Sequence, residues 1–176
     1  MLPRMKPSEI CLSILKKEKL LSLVEELTNP QVKTVLKEGD VKVKLPSGYV
    51  TQQRRRETWS SRIIAAIEQG NELAAAELLQ QFLLNHRRQL LIDYLDRLEV
   101  KHRQGETDES FLVARPKERL REAASWLLER HDRAETAAYL LYVAYQQRST
   151  AFDDWPPLAD RPAEGTQPTE PAPAAE

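Results

Sequence analysis

Apolar side chains recur at three- and four-residue intervals through most of residues 53–148, and this spacing constrains the fold more than any other feature of the chain. Residues at such intervals lie on one face of an α-helix, so each series predicts a helix with one buried face. Tyr94, Leu95 and Leu98 belong to one such series. We therefore predict a mainly α fold, either a helical bundle or a short array of antiparallel helix hairpins.

The first 52 residues predict shorter elements. Ser8 is a candidate cap for a first helix, and the helical pattern continues in a second helix that runs to Leu27 and stops before Pro30, because the residue before a proline avoids the helical conformation. A third short helix is predicted over residues 31–38 and ends at Gly39.

Residues 41–51 carry the strand pattern of the chain. Apolar and charged side chains alternate from Val41 to Leu45, which is typical of a half-buried strand, and residues 46–48 are turn-forming types. A small β-hairpin near residues 41–51 is therefore predicted, with Lys42 and Lys44 on one face.

Composition changes after residue 149. The last 21 residues hold six of the eleven prolines, together with acidic residues, alanine and threonine, and such a segment buries too little apolar surface to offset its chain entropy. We divide the chain into a basic segment of short helices plus hairpin (1–52), a four-helix region of two helix hairpins (53–149) and a disordered Pro-rich, acidic C-terminal tail (150–176).

Charge is distributed unevenly along the chain. Residues 1–60 carry 12 Lys and Arg against 7 Asp and Glu, whereas residues 151–176 carry 1 against 6. The basic front is suited to a polyanion or to the acidic tail. The pI of about 6.4 argues against a protein that coats nucleic acid constitutively.

The sequence contains no pattern typical of a metal, cofactor or catalytic site, so no cofactor is predicted and the chain is interpreted as not an enzyme. The histidines do not pair at metal-binding spacing, and the phosphate-loop, dinucleotide and nucleophile-elbow motifs are absent. An enzyme centred on Asp93, Asp96 and His102 is a remaining alternative, although nearby basic residues favour a solvated charged face.

Two features predict a cytoplasmic protein without a membrane partner. Cys11 is the single cysteine, which excludes an internal disulfide and fits a reducing compartment. The longest apolar run, residues 137–145, is far shorter than the roughly 20 residues that cross a bilayer, and the N-terminus lacks a signal-peptide pattern.

Aromatic residues concentrate late in the chain. Such residues usually belong to a core, but Tyr and Trp are also enriched at protein interfaces because they combine a large area with a polar tip. We predict a non-catalytic helical protein–protein interaction module, an adaptor or an assembly subunit of a cytosolic complex, with a protein partner or self-association. The candidate interface residues are Trp126, Tyr139, Tyr142, Tyr145 and Trp155.

The alternative is a nucleic-acid-binding regulator that uses the basic N-terminal segment. Three helices followed by a basic hairpin is the order found in winged-helix DNA-binding domains, a fold-level analogy in which residues 31–38 are the recognition helix. The same charges also suit exposed faces that only keep the protein soluble. The candidate nucleic-acid contacts are Lys33, Lys37, Lys42, Lys44, Arg54, Arg55 and Arg56.

Overall fold

The structure, a computed structural model, describes residues 5–44 and 50–159, and most of these residues are helical, which confirms the mainly α prediction. A π-helical segment, Ile10–Leu15, lies between the first two helices. In chain order the helices are α1 (Pro7–Glu9), α2 (Lys16–Glu26), α3 (Asn29–Glu38), α4 (Gln52–Glu68), α5 (Glu72–His86), α6 (Arg88–Arg97), α7 (Phe111–Ala114), α8 (Lys117–Arg130), α9 (Arg133–Gln146) and α10 (Pro156–Ala159).

The helical stretch predicted from Ser8 to Leu27 is interrupted at Lys16. Lys16, where the π-helical segment meets α2, has φ 60° and ψ 162°, a backbone conformation that residues other than glycine rarely adopt. The wider π turn places Ile10, Cys11 and Leu15 in the core. Ser8 does not cap α1; its hydroxyl donates to Glu72 of α5, with 2.7 Å between Oγ and Oε1.

Capping residues set the ends of α3. The Thr28 hydroxyl accepts from the Gln31 backbone N–H and the Gln31 side chain accepts from the Thr28 N–H, a reciprocal capping box. Pro30 fits the first turn, so α3 begins two residues earlier than the sequence predicted. Gly39 ends α3 where the chain passes α5: a Cβ built on Gly39 would lie 2.7 Å from Cβ of Ala74.

The prediction of a β-hairpin near residues 41–51 is wrong for the part that the structure describes. Residues 41–44 and 50 form no strand, residue 51 is the N-cap of α4, and residues 45–49 lie outside the described residues. Val41 and Val43 pack against the helical core instead, whereas Lys42 and Lys44 are exposed. One-sided packing on helices therefore explains the alternating pattern without a second strand.

Helix α5 lies at the centre of the fold and contacts α1, α2, α3, α4, α6 and α9. Buried side chains from both sides of residue 52, such as Leu20 and Leu78, belong to one continuous core. The segments distinguished by sequence as 1–52 and 53–149 therefore pack around the same helix. Helices α4 to α9 occupy the region interpreted as two helix hairpins.

Residues 150–159, the start of the predicted tail, pack on the helices. Phe152 and Trp155 are buried with 5.6 Å between their ring centroids. The Arg121 guanidinium of α8 donates to the carbonyl oxygens of Ala151 and Asp153. The rest of the predicted tail, residues 160–176, lies outside the described residues.

Candidate functional site

A cleft of about 500 Å³ lies between α5, α6, α7, α9 and the loop of residues 103–108. Its floor consists of apolar and aromatic side chains from these helices, and burial in the core holds them in place. The buried floor residues are Leu83, Leu91, Leu95, Phe111, Tyr139, Tyr142 and Val143.

Polar side chains surround the floor. Gln80 of α5 and Gln146 of α9 are exposed at the rim, and the loop contributes Arg103, Glu106 and Asp108. The rim therefore offers side-chain amides together with charges of both signs. A floor of apolar side chains with a few polar groups at the edge is the usual composition of a protein's binding site.

The loop that forms one wall is held by specific contacts. Gly105 has φ 88° and lies so close to α6 that an added Cβ would be 3.1 Å from Cβ of Leu91. The Gly105 backbone N–H donates to Nδ1 of His102 (3.1 Å), which leaves Nε2 of His102 to donate to Asp96 (3.0 Å). The Arg88 side chain donates to Gln104 (2.7 Å). These bonds fix the wall against α6.

The two tyrosines of the floor differ in their hydrogen bonds. The Tyr142 hydroxyl donates to the carbonyl oxygen of Ala76 (3.1 Å) and accepts from the Gln146 side chain (3.0 Å). The Tyr139 hydroxyl makes no hydrogen bond to another described residue, but the side-chain oxygen that is both fully buried and without a partner among the described residues is Oγ1 of Thr136. Burial raises the pKa of both phenols above the ordinary value, so both stay neutral.

The structure separates the predicted aromatic interface residues. Tyr139 and Tyr142 line the cleft, but Tyr145 is exposed outside its lining. Trp126 on α8 is half-buried, with the guanidinium carbons of Arg97 and Arg130 at 5.4 and 4.6 Å from its ring centroid. Trp155 is buried against Phe152. These residues therefore do not form a single surface.

The predicted basic residues also divide. Lys33 and Lys37 of α3 lie at a groove of about 420 Å³ that Leu36, Val41, Val43 and Trp59 also line. Arg56 has a structural role, because its Nη2 donates to the carbonyl oxygens of Val24 and Leu27 at the end of α2. The remaining predicted contacts are exposed: Lys42, Lys44, Arg54 and Arg55.

The carboxylates of α6 pair with two different histidines. Asp96 contacts His102, and Asp93 contacts His131 at the end of α8, with 2.7 Å between Oδ2 and Nε2. Neither pair lines the cleft. Among residues 5–44 and 50–159, no three His, Cys, Asp or Glu side chains are placed to hold a metal ion.

Comparison of the chain with protein-family models, with curated proteins and with solved structures finds no match. Over the described ranges, no helix has the length and apolar character needed to span a membrane.

Sequence reasoning did not identify most of the cleft. Gln80, Arg103, Gln146 and Gln147 come from separate parts of the chain and belong to no motif. Of the residues predicted from sequence as interface or nucleic-acid contacts, Tyr139 and Tyr142 line the cleft. Its location depends on how α5, α6 and α9 pack, which no local pattern encodes.

Proposed function

We propose that this protein is a non-catalytic helical protein–protein interaction module that binds a peptide segment of its partner in the cleft between α5, α6 and α9. The observation that carries the proposal is the cleft itself, with its apolar floor and polar rim. An apolar side chain of the partner would fill the floor, and the surrounding backbone would meet the rim.

The rim amides are suited to a peptide backbone, which presents N–H donors and carbonyl acceptors alternately. Gln147 accepts from the Leu112 backbone N–H through Oε1 (2.9 Å), and Gln146 donates through Nε2 to Tyr142. The free ends of these two amides, Nε2 of Gln147 and Oε1 of Gln146, are a donor and an acceptor. Gln80 on the opposite helix adds a complete amide.

The floor is preorganised. Tyr142 is held between Ala76 and Gln146, and Tyr139 packs edge-to-face on Tyr94 with 5.8 Å between ring centroids. A rigid floor loses little conformational entropy when a ligand binds, which strengthens the affinity for a given contact area.

A blocking substitution tests the proposal. Gln80→Trp adds a large side chain at the exposed rim, whereas Arg62→Trp adds the same side chain on the exposed face of α4 and is the matched control. A partner that binds in the cleft is expected to be recovered from native lysate by the wild type and by Arg62→Trp but not by Gln80→Trp. Equal recovery by all three folded proteins would contradict the assignment of this cleft.

Nucleic-acid binding at the basic face is the second candidate function. The observation that favours it is that Lys33 and Lys37 are exposed at one groove. Further exposed cations lie nearby in sequence: Lys42, Lys44, Arg54 and Arg55. Contacts with phosphates must weaken steeply as the salt concentration rises.

The test is duplex DNA binding at two salt concentrations by the wild type and by Lys33→Glu/Lys37→Glu. Binding at low salt that the double substitution abolishes supports this second function. Absence of binding at low salt rules it out. Arg56 is left unchanged in the test, because its substitution would disturb the end of α2.

A further inference from the structure

The groove at α3, called the basic groove below, combines an apolar wall with positive charge. Its apolar side chains are Leu36, Val41, Val43 and Trp59, and its charged side chains are Lys33, Lys37 and Asp40. Nζ of Lys33 lies 5.7 Å from the ring centroid of Trp59, and among the described residues Lys33 has no carboxylate partner. Lys37 pairs with its exposed neighbour Glu38 (3.3 Å), a contact of the kind that contributes little. Both ammonium groups are therefore accessible to an anionic partner.

Residues 160–176, called the acidic segment below, have the composition that this groove requires. They contain four carboxylate side chains, one cation and four prolines. Pro168 and Pro171 are three residues apart, which is one turn of the polyproline II helix, so in that conformation both rings lie on one face. Glu170 lies between them in sequence. Pro-rich segments in this conformation bind grooves lined by aromatic side chains.

The described part of the chain ends within reach of the basic groove. The carbonyl oxygen of Pro157 accepts from Arg133 at the start of α9 (3.1 Å), and the adjacent Asp132 contacts Lys19 of α2 (2.6 Å). Helix α2 is followed directly by α3. Residues 160–170 span up to about 34 Å as a polyproline II helix, whereas a domain of about 150 residues has a radius of gyration of about 15 Å. The acidic segment is therefore long enough to reach α3.

We propose that the acidic segment docks in the basic groove of the same molecule, with Pro168 and Pro171 against the apolar wall and the Glu170 carboxylate beside Lys33. The contact needs little intrinsic affinity, because covalent attachment provides an effective concentration in roughly the millimolar range. Docking would cover lysines that a nucleic-acid phosphate would need, so the segment would compete with the second candidate function. It involves no residue of the cleft and is independent of peptide binding there.

Carbodiimide cross-linking of the full chain tests the contact, because this reagent joins an amine and a carboxylate that touch. The protein is treated at low salt and low concentration, and the cross-linked monomer is mapped by mass spectrometry. A bond between Lys33 and Glu170 is expected in severalfold higher yield than one between Lys117 and Glu170. Lys117 is a stringent internal control: it is exposed on α8, one turn before Arg121, which binds the backbone shortly before the acidic segment.

Three results of this experiment would overturn the proposal. The first is a similar yield at Lys117 and Lys33, and the second is a Lys33–Glu170 bond found only in cross-linked dimers. The third is a yield that does not change between about 0.05 M and about 0.5 M salt, because attraction between exposed charges is screened by salt.

A charge reversal and its compensation provide the second measurement. Glu170→Lys is expected to displace the acidic segment and to shift the indole N–H resonance of Trp59 in the groove, but not that of Trp126 on α8. Combining Glu170→Lys with Lys33→Glu restores the attraction with opposite polarity, so a bond between positions 33 and 170 should reappear. Its absence from the combined variant, or an unmoved Trp59 resonance in Glu170→Lys, would contradict docking in this groove.

Gln80→Trp separates this inference from the proposed function, because it fills the cleft and leaves the basic groove unchanged. The Lys33–Glu170 bond is expected at wild-type yield in Gln80→Trp. Loss of the bond in this variant would place the acidic segment in the cleft and overturn the assignment to the groove. An intact bond with unchanged partner recovery would contradict peptide binding in the cleft and still support the docked segment.

Discussion

Arg87 and Glu135 form a two-bond pair that joins α9 to the junction of α5 and α6: Nε of Arg87 lies 2.5 Å from Oε2 of Glu135, and Nη2 lies 3.1 Å from Oε1. Arg87 also donates to Glu26 at the end of α2, and Lys19 of α2 contacts Glu135 (3.3 Å). The Glu135 side chain is 8% exposed. This network connects the N-terminal helices to the helix that provides both cleft tyrosines.

Glu135→Gln is expected to lower the free energy of unfolding by about 2 kcal/mol, because the nearly buried Glu135 carboxylate is the charged partner of both Arg87 and Lys19. Lys17→Ala is the control: Lys17 pairs with Glu68 at 2.8 Å, but both side chains are well exposed. Its loss should cost about 0.5 kcal/mol or less. Chemical denaturation measures both, and equal effects would show that the Arg87–Glu135 pair has no special role.

Asp132 predicts an acid-sensitive contribution to stability. Burial acts to raise its pKa, but hydrogen bonds from Lys19 and from the backbone of Glu135 and Ala134 outweigh it and hold the pKa below the ordinary value of 3.8. Stability from such a group is present above its unfolded-state pKa and is lost as the pH falls through the lower folded-state pKa.

Asp132→Asn isolates this contribution, because asparagine also caps helices and can replace the Asp132 contact to the Glu135 N–H at the start of α9. Unfolding free energies measured from about pH 6 to about pH 2 should fall more steeply for the wild type than for Asp132→Asn, with the difference arising below about pH 4. Parallel pH profiles would contradict the Lys19–Asp132 pairing (2.6 Å).

Lys16→Gly is expected to stabilise the protein by about 1 kcal/mol. The φ of 60° and ψ of 162° at Lys16 cost a residue with a Cβ about 1–3 kcal/mol, and glycine avoids most of that cost at some loss of unfolded-chain entropy. Lys17→Gly, one residue later within α2, should destabilise by about 1 kcal/mol. Thermal unfolding measures both substitutions. The melting temperature should rise for Lys16→Gly and fall for Lys17→Gly, and a fall for both would contradict the positive φ at Lys16.

Gly39→Ala is expected to destabilise by about 1–3 kcal/mol, because the added methyl would meet Ala74 at 2.7 Å and force α3 and α5 apart. Gly70→Ala provides a comparison without crowding: nothing lies within 4 Å of its Cβ, and its φ of 81° alone should cost about 1–2 kcal/mol. Cα of Ala74 and the carbonyl oxygen of Val35 also lie 2.8 Å from the added Cβ, so Ala74→Gly is not expected to rescue Gly39→Ala. If Gly39→Ala leaves the free energy of unfolding unchanged, the contact between these helices is misassigned.

Arg56→Ala is expected to cost about 1–2 kcal/mol because the carbonyl oxygens of Val24 and Leu27 lose a charged donor. Arg54→Ala and Arg55→Ala, the exposed neighbours, should each change the unfolding free energy by about 0.5 kcal/mol or less. Similar changes in the free energy of unfolding for all three substitutions would mean that the Arg56 side chain makes no stabilising contact with the end of α2.

The sequence predicted those parts of the fold that local chemistry determines. Asparagine is a preferred N-cap residue, and Asn71 caps α5 with its side chain accepting from the Ala74 N–H (3.0 Å); Gly70 lies between α4 and α5. The alternation at Val41 and Val43 correctly indicated that one face of this segment is buried, but it did not indicate that the segment packs against helices. Periodicity reports that one face is buried, and the same pattern arises against a strand or against helices.

The site depended on tertiary contacts that a local pattern does not contain. Arg54, Arg55 and Arg56 are indistinguishable in sequence, yet Arg56 reaches a helix end 29 and 32 residues away. Tyr139 and Tyr142 were singled out for their type, but their different hydrogen bonds follow from which carbonyl oxygens lie within reach. Such distinctions require the packing of α5 and α9.

Site-specific photo-crosslinking detects whether a partner protein binds in the cleft. A photoreactive amino acid at Gln146, on the exposed rim, is compared in living cells with the same residue at Ser61, on the exposed face of α4. A discrete adduct with one partner protein is expected from position 146, absent from position 61 and lost when Gln80→Trp blocks the cleft. Identical adducts from both positions, or none from position 146, would contradict binding in the cleft.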